Sequence, residues 1–245
     1  MTVKRTLLVT GASSGIGAQV CQLAMQHGHE VIGVARYSHH SPNDSDPSSA
    51  SMIKVALDIT DPSACEQTVA QIVSQHNIDG LVCCAGSGRF GSLEEFSIAQ
   101  INDLIQINLL AHMNMCRFLI PTLKTRQRSD IVFIGSENAL KGGRFGAVYS
   151  AAKAGLRGFA QALQYECAPS NCHVGIVNPG MTRTEFFESL DFEPGDDENN
   201  AIDPLSVAQA VLQMLSTPDN SIIDEINISP LKKVVRKKGK NNKPN

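Results

Sequence analysis

The sequence predicts a single doubly wound α/β domain, a parallel sheet with helices on both faces. Three observations predict it. Short apolar runs alternate with helical patterns almost throughout the 245 residues. The runs are continuously apolar, as strands buried on both faces require, and do not alternate apolar with polar. No linker divides the chain into two domains, and 42% hydrophobic content supplies one sizeable core.

The elements follow in order. Residues 4–10 read as a buried strand that runs into a glycine turn, Thr10-Gly11-Ala12-Ser13-Ser14-Gly15-Ile16-Gly17, and then a helix to about His27. Residues 30–35 form a second strand. Residues 37–51 are a Ser/Pro/Asn/Asp-rich loop, long for a connection. A third strand covers 52–57. Asp61 is placed to cap a helix and Pro62 to occupy its first position. Strand 78–84, a long helix over 98–124, strand 130–135, helix 147–168 and strand 173–177 follow. A loop over 179–203, a helix over 203–216 and a last strand at 223–228 complete seven strands.

Composition excludes several classes. No apolar run reaches the 18 residues of a membrane-spanning helix, and the Leu7-Leu8-Val9 run is too short for a signal peptide. The seven cysteines are odd in number and lack zinc-ligand spacing, which points to a reduced, cytoplasmic protein without a metal. Net charge is −3 but uneven: residues 231–245 carry +7 and no acid, so the rest carries −10. That tail lacks interleaved aromatics, which disfavours nucleic acid as a partner. It is expected to be flexible, with residues 1–230 as the folded domain. A second possibility is that it docks on the acidic segment 185–203, in the same chain or a neighbour.

The glycine turn is the first functional signal. A strand precedes it and a helix follows. Gly11 permits the tight turn, Gly15 admits a pyrophosphate and Gly17 lets helix and sheet pack closely, with the helix N-terminus favouring the anion. An acid at the end of the second strand would bind the ribose of NAD. Arg36 stands there instead and suits a 2′-phosphate, so NADP(H) is the expected cofactor. Ser13, Ser14 and Ser38 add hydroxyl donors. Tyr149 and Lys153, four apart, share a helix face, and an ammonium beside a phenol lowers the phenol's pKa toward working pH.

Taken in series, these residues resemble the classical short-chain dehydrogenase/reductase family from residue 4 to about 228, and that likeness implies a Rossmann-type fold. TGASSGIG fits the family's T-G-x-x-x-G-x-G. Asp58 stands where the family has an aspartate near the adenine. Asn108 lies in QINLL, and Ser136 precedes Tyr149 by thirteen residues. Tyr149 to Lys153 is Y-x-x-x-K, and Pro179, Gly180 and Thr184 fit P-G-x-x-x-T. The resemblance implies Tyr149 as acid/base and Lys153 as holder of the nicotinamide ribose and tuner of Tyr149. Ser136 would bond the substrate oxygen, and Asn108 would kink its helix and hold a water. It also implies Gly11, Ser13, Ser14, Gly15, Ile16, Gly17, Arg36, Asp58, Ala85, Gly86, Tyr149, Lys153, Pro179, Gly180 and Thr184 around the cofactor. A substrate lid at about 185–203 and a homodimer or homotetramer through the helices at 98–124 and 147–168 complete the expectation.

One departure stands out. The family's Asn-Asn-Ala-Gly is Cys83-Cys84-Ala85-Gly86 here, which puts cofactor affinity in question. The expected activity is NADP(H)-dependent hydride transfer to a small-molecule carbonyl or from its alcohol. The alternative is a non-catalytic NADP-binding regulator. Glu137, Asn138, Phe90, Phe145, Met181, Phe186 and Phe187 are candidates to line the substrate end. The eight acids of 185–203 disfavour a highly anionic substrate.

Overall fold

The computed structural model describes residues 4–37 and 52–238. Most of the polar loop predicted at 37–51, Ser38 included, and the tail beyond 238 lie outside the described residues. Strands β1 (Thr6–Thr10), β2 (Glu30–Ala35), β3 (Ile53–Ala56), β4 (Gly80–Cys83), β5 (Ser129–Ile134), β6 (Cys172–Pro179) and β8 (Glu225–Ile228) form one sheet in the order β3-β2-β1-β4-β5-β6-β8. Every pairing in it is parallel. Strand β7 (Phe192–Pro194) lies outside that sheet.

Helices α2 (Pro62–Gln75), α4 (Ala111–Leu123) and α5 (Ala147–Cys167) cover one face, around a core that includes Leu8, Ile32, Leu81, Met115, Phe133 and Leu156. Helices α1 (Gly15–Gln26) and α6 (Pro204–Leu215) cover the other, around Leu7, Val9, Val82, Val132 and Val211. Alternate residues of one strand thus enter opposite cores: Leu7 and Val9 go one way and Leu8 the other. Each fully buried Leu, Ile or Phe contributes about 1.5–3 kcal/mol.

Helix starts follow their local chemistry. Asp61 accepts from the N–H groups of Ser63 and Ala64 at 2.9 and 3.0 Å, with Pro62 at the first position, as its sequence predicts. Ser97 and Gln100 make a reciprocal capping box for α3 (Ile98–Ile105). The helix predicted over 98–124 is interrupted: a π-helical turn, Gln106–Leu110, joins α3 to α4. Asn171, at φ 51°, turns the chain from the end of α5 into β6, a conformation asparagine tolerates.

At the amino ends of the strands, buried Asp130 accepts from Arg5 at 2.6 Å and from Arg128 at 3.3 Å. That charged network ties β1 to β5 at the end of the sheet remote from the glycine turn. No helix among the described residues is long and apolar enough to cross a membrane.

The described part of the tail follows the second possibility, docking on segment 185–203. Residues 235–237 are a strand, β9 (Val235–Lys237), paired antiparallel with β7. The expectation of a flexible tail rested on its place at the chain end; Glu193 and Asp196 of segment 185–203 pair with Arg236 here.

Candidate active site

Strand order reverses at β1, whose neighbours are β2 and β4, so the loops after β1 and β4 diverge and leave a crevice at their carboxyl ends. The glycine turn follows β1, and Ala85 and Gly86 follow β4. Gly11 has φ 68°, and a Cβ there would lie 2.7 Å from the Ala85 nitrogen, so only glycine fits. Gly15, at φ 52°, faces the Thr184 side chain, where a Cβ would come within 3.2 Å. Gly17 packs on the Gly11 carbonyl. The Ala85 N–H donates to Thr10 Oγ1 at 3.3 Å and ties the ends of β1 and β4.

A cleft of about 2270 Å³ opens here. Gly11, Ser13, Ser14, Gly15, Ile16, Gly17, Arg36, Asp58, Ala85, Gly86, Pro179, Gly180 and Thr184 line it, together with Asn108, Ser136, Tyr149 and Lys153. The sequence-predicted site residues, scattered over 174 positions from Gly11 to Thr184, therefore meet in one place. The predicted substrate-end residues Phe90, Glu137, Asn138, Phe145, Met181, Phe186 and Phe187 line the same cleft.

Helix α5 presents Tyr149 and Lys153 from consecutive turns, both buried. The tyrosine ring packs against Phe90 and Phe186, at centroid distances of 5.4 and 6.0 Å. Burial pushes its phenol up to about 12, and a hydrogen bond with Ser136 offsets this in part. The lowering expected from Lys153 does not enter: the ammonium lies 5.9 Å from the ring centroid and donates to the Ile134 carbonyl at 2.9 Å. Burial also pulls Lys153 down to about 8.

Asn108 sits in the π-helical turn and is fully buried. Its amide donates to the Leu104 carbonyl at 3.0 Å and to the Ser87 carbonyl at 2.9 Å, while its buried Oδ1 has no protein partner. A Cβ at Gly86 would lie 2.9 Å from that oxygen and 3.7 Å from Lys153 Nζ. Glycine thus keeps open the space between the two groups.

Two more of the sequence-predicted residues stand on the cleft wall. Arg36 is exposed at the end of β2, on the cleft wall. Asp58 accepts from the N–H and Oγ1 of Thr60 at 2.9 and 2.7 Å, which holds its carboxyl below the usual range, with Arg36 adding to the effect. Cys83, in place of the family's first asparagine, is buried against Cys116 and His112. Cys84 is half-buried and lines the cleft. Burial raises both thiols, so both are neutral.

The family model for short chain dehydrogenases matches residues 5–194. The chain is a short-chain dehydrogenase. It is 33% identical over 184 residues to a 3-oxoacyl-(acyl-carrier-protein) reductase of Salmonella typhimurium, covering 75% of each chain. A 3-oxoacyl-(acyl-carrier-protein) reductase of Bos taurus is 31% identical over 214 residues, 86% of this chain and 90% of that one. Among solved structures, the closed form of serine dehydrogenase complexed with NADP+ superposes with a TM-score of 0.81 at 27% identity, over 91% of this chain and 93% of that one. Membership makes this short-chain dehydrogenase an oxidoreductase acting on alcohol and carbonyl groups with a nicotinamide cofactor.

One wall of the cleft was raised by sequence reasoning only as a second possibility, the docking of the tail on segment 185–203. Phe192 from β7 and Lys233, Val235, Lys237 and Lys238 from the tail also line it. The excess of acids in 185–203 over against bases in 231–245 was the only available signal, and charge complementarity does not specify a register.

Proposed function

We propose that this protein is an NADP(H)-dependent oxidoreductase that interconverts a carbonyl and a secondary alcohol, with Tyr149 as the general acid/base. The observation that carries the reading is the convergence of Asn108, Ser136, Tyr149 and Lys153 in the cleft that the glycine turn opens. The residues present fit a dinucleotide: the Gly11–Gly15–Gly17 turn is a cradle that side chains would fill, and the cation Arg36 stands at the end of β2. When bound, the cofactor supplies or accepts the hydride.

The protein's part is proton transfer and charge stabilisation. A phenol with its pKa near 12 is protonated at neutral pH, the form that donates to a carbonyl oxygen as negative charge develops there. Ser136, hydrogen-bonded to Tyr149, offers that oxygen a second donor. Lys153 and the free Oδ1 of Asn108 flank the gap over Gly86, a position from which Tyr149 can be reprotonated. Seven free cysteines fit a reducing cytoplasm. The non-catalytic regulator reading leaves this four-residue arrangement without a purpose.

Selection of NADP(H) is assigned to Arg36, and Arg36→Asp tests it. Titration of wild type with NADPH and NADH is expected to show preference for NADPH. The variant should lose about 2 kcal/mol toward NADPH, about thirtyfold in Kd, with NADH little affected. Equal binding of both by the wild type would overturn the assignment.

A homodimer or homotetramer through α4 and α5 is also proposed. Tyr165, 79% exposed on α5, and Leu110, 42% exposed just before α4, support it as apolar surface on that pair of helices. Light scattering on the eluting protein should give a mass two or four times the 26.3 kDa of one chain; a single-chain mass refutes the assembly.

A further inference from the structure

Strand β9 lies outside the seven-stranded sheet and on the cleft. In the β7–β9 ribbon Phe192 stands opposite Lys237, Glu193 opposite Arg236 and Pro194 opposite Val235. Side chains alternate between the faces of such a ribbon. Phe192, Val235 and Lys237 line the cleft; Glu193 and Arg236 do not. The inner face therefore belongs to the cleft wall.

The outer face is a clamp. Arg236 donates to Glu193 Oε1 at 2.5 Å and to Asp196 Oδ2 at 2.9 Å. The backbone continues it: the Gly195 N–H donates to the Val234 carbonyl at 3.0 Å, the Lys238 N–H to the Asp191 carbonyl at 2.8 Å and the Lys232 N–H to the Asn199 carbonyl at 2.9 Å. Lys233 pairs with Glu137, the residue after Ser136. A two-stranded ribbon is marginal by itself, so the ion pairs and the cleft contacts matter to whether it stays closed.

The wall reaches the reacting phenol. Phe192 meets Phe90 edge-on at 5.1 Å, and Phe90 packs on Tyr149 at 5.4 Å. We propose that the carboxyl-terminal strand is part of the substrate site, with Arg236 as a positioning residue that latches segment 185–203 so that Phe192 and Val235 form an apolar wall for the substrate body. The substrate class this selects is a carbonyl compound with an aromatic or other apolar body extending from Tyr149 along Phe90 and Phe192. The substrate class rests on the hydride-transfer reading; the latch itself does not.

Three proteins test it: wild type, Arg236→Glu, and Arg236→Glu with Glu193→Arg, which restores an opposed pair across the ribbon. A chain ending at Pro230 is the second route should a charge variant fold poorly. Two methyl ketones serve as probes, butanone and benzylacetone, the latter adding a phenyl group. Hydrogen–deuterium exchange across 192–199 reads the latch without any substrate, and NADPH titration reads the cofactor end.

Arg236→Glu is expected to speed exchange at Gly195 and to raise the benzylacetone KM about tenfold. Its kcat, its butanone KM and its NADPH affinity should stay within about twofold, and the double variant should recover most of the loss. In wild type the benzylacetone KM should rise with salt, and in Arg236→Glu it should not. Unchanged exchange in both Arg236→Glu and the shortened chain overturns the latch. NADPH binding without turnover of benzylacetone overturns the substrate class. Wild type that binds no NADPH fails the hydride-transfer reading, and exchange alone then decides the latch.

Discussion

Tyr149→Phe should lower kcat/KM for carbonyl reduction by a factor of about 10² to 10⁴ while leaving NADPH affinity within about twofold. The substitution removes one oxygen and keeps the ring, which packs between Phe90 and Phe186, so the cleft wall stays in place. What goes is the proton donor and the partner of Ser136. The pH dependence has a definite sign. With the phenol near 12, the donor form is present throughout the neutral range, so reduction should stay flat there as far as Tyr149 is concerned. Alcohol oxidation needs the phenolate and should rise as pH increases toward that value. Activity of the variant within threefold of wild type would remove Tyr149 from the chemistry and bring the regulator reading forward.

Lys153→Met should abolish most of the activity and make the fold more stable at pH 7. The ammonium is buried, and burial lowers its pKa from the ordinary 10.5 to about 8. That gap corresponds to roughly 3 kcal/mol of cost to the folded state while the group is charged. Between about 8 and 10.5 the unfolded chain holds the proton that the folded chain has released. Wild-type stability therefore recovers as pH rises through that window, and the full cost is present below it. Methionine fills a similar volume without charge but leaves the Ile134 carbonyl without its donor, at about 1 kcal/mol. The net gain at pH 7 is about 2 kcal/mol, or roughly 5 °C in Tm for a chain of this size. The advantage should shrink as pH approaches 10.5. Thermal melts at several pH values measure it, and a variant no more stable than wild type at pH 7 contradicts the account. Reduced activity alongside raised stability would mark Lys153 as a group the fold tolerates for its chemistry.

Local signals carried most of the fold and the site. Continuous apolar runs marked the seven strands of the sheet because a parallel strand is buried on both faces, and Leu7, Leu8 and Val9 show this residue by residue. Asp61-Pro62 marked a helix start because a cap and its proline act within one turn. The turn from Gly11 to Gly17 was readable because backbone clashes restrict it to glycine. The pairing of Tyr149 with Lys153 was readable because helix geometry alone puts them on one face.

What the sequence could not show depends on neighbours distant along the chain. The spacing of Tyr149 and Lys153 predicted a lowered phenol; the structure raises it, because Phe90, Phe186 and the surrounding core exclude water from a ring whose exposure no local pattern records. The resemblance implied a kink at Asn108, but its form, a π-helical turn at Gln106–Leu110 whose buried amide also bonds Ser87, came from a partner outside the helix. The basic tail read first as solvated, as chain ends commonly are, with docking on 185–203 only a second possibility. Its partners, Glu193 and Asp196, lie some forty residues upstream. By itself, then, the sequence determined the strands, the glycine turn and the placing of Tyr149 and Lys153 on one helix face, since each rests on contacts within a few residues. Only the tertiary structure decided how deeply Tyr149 and Lys153 are buried and which strand closes the cleft, since desolvation and strand pairing are set by whatever the rest of the chain brings alongside.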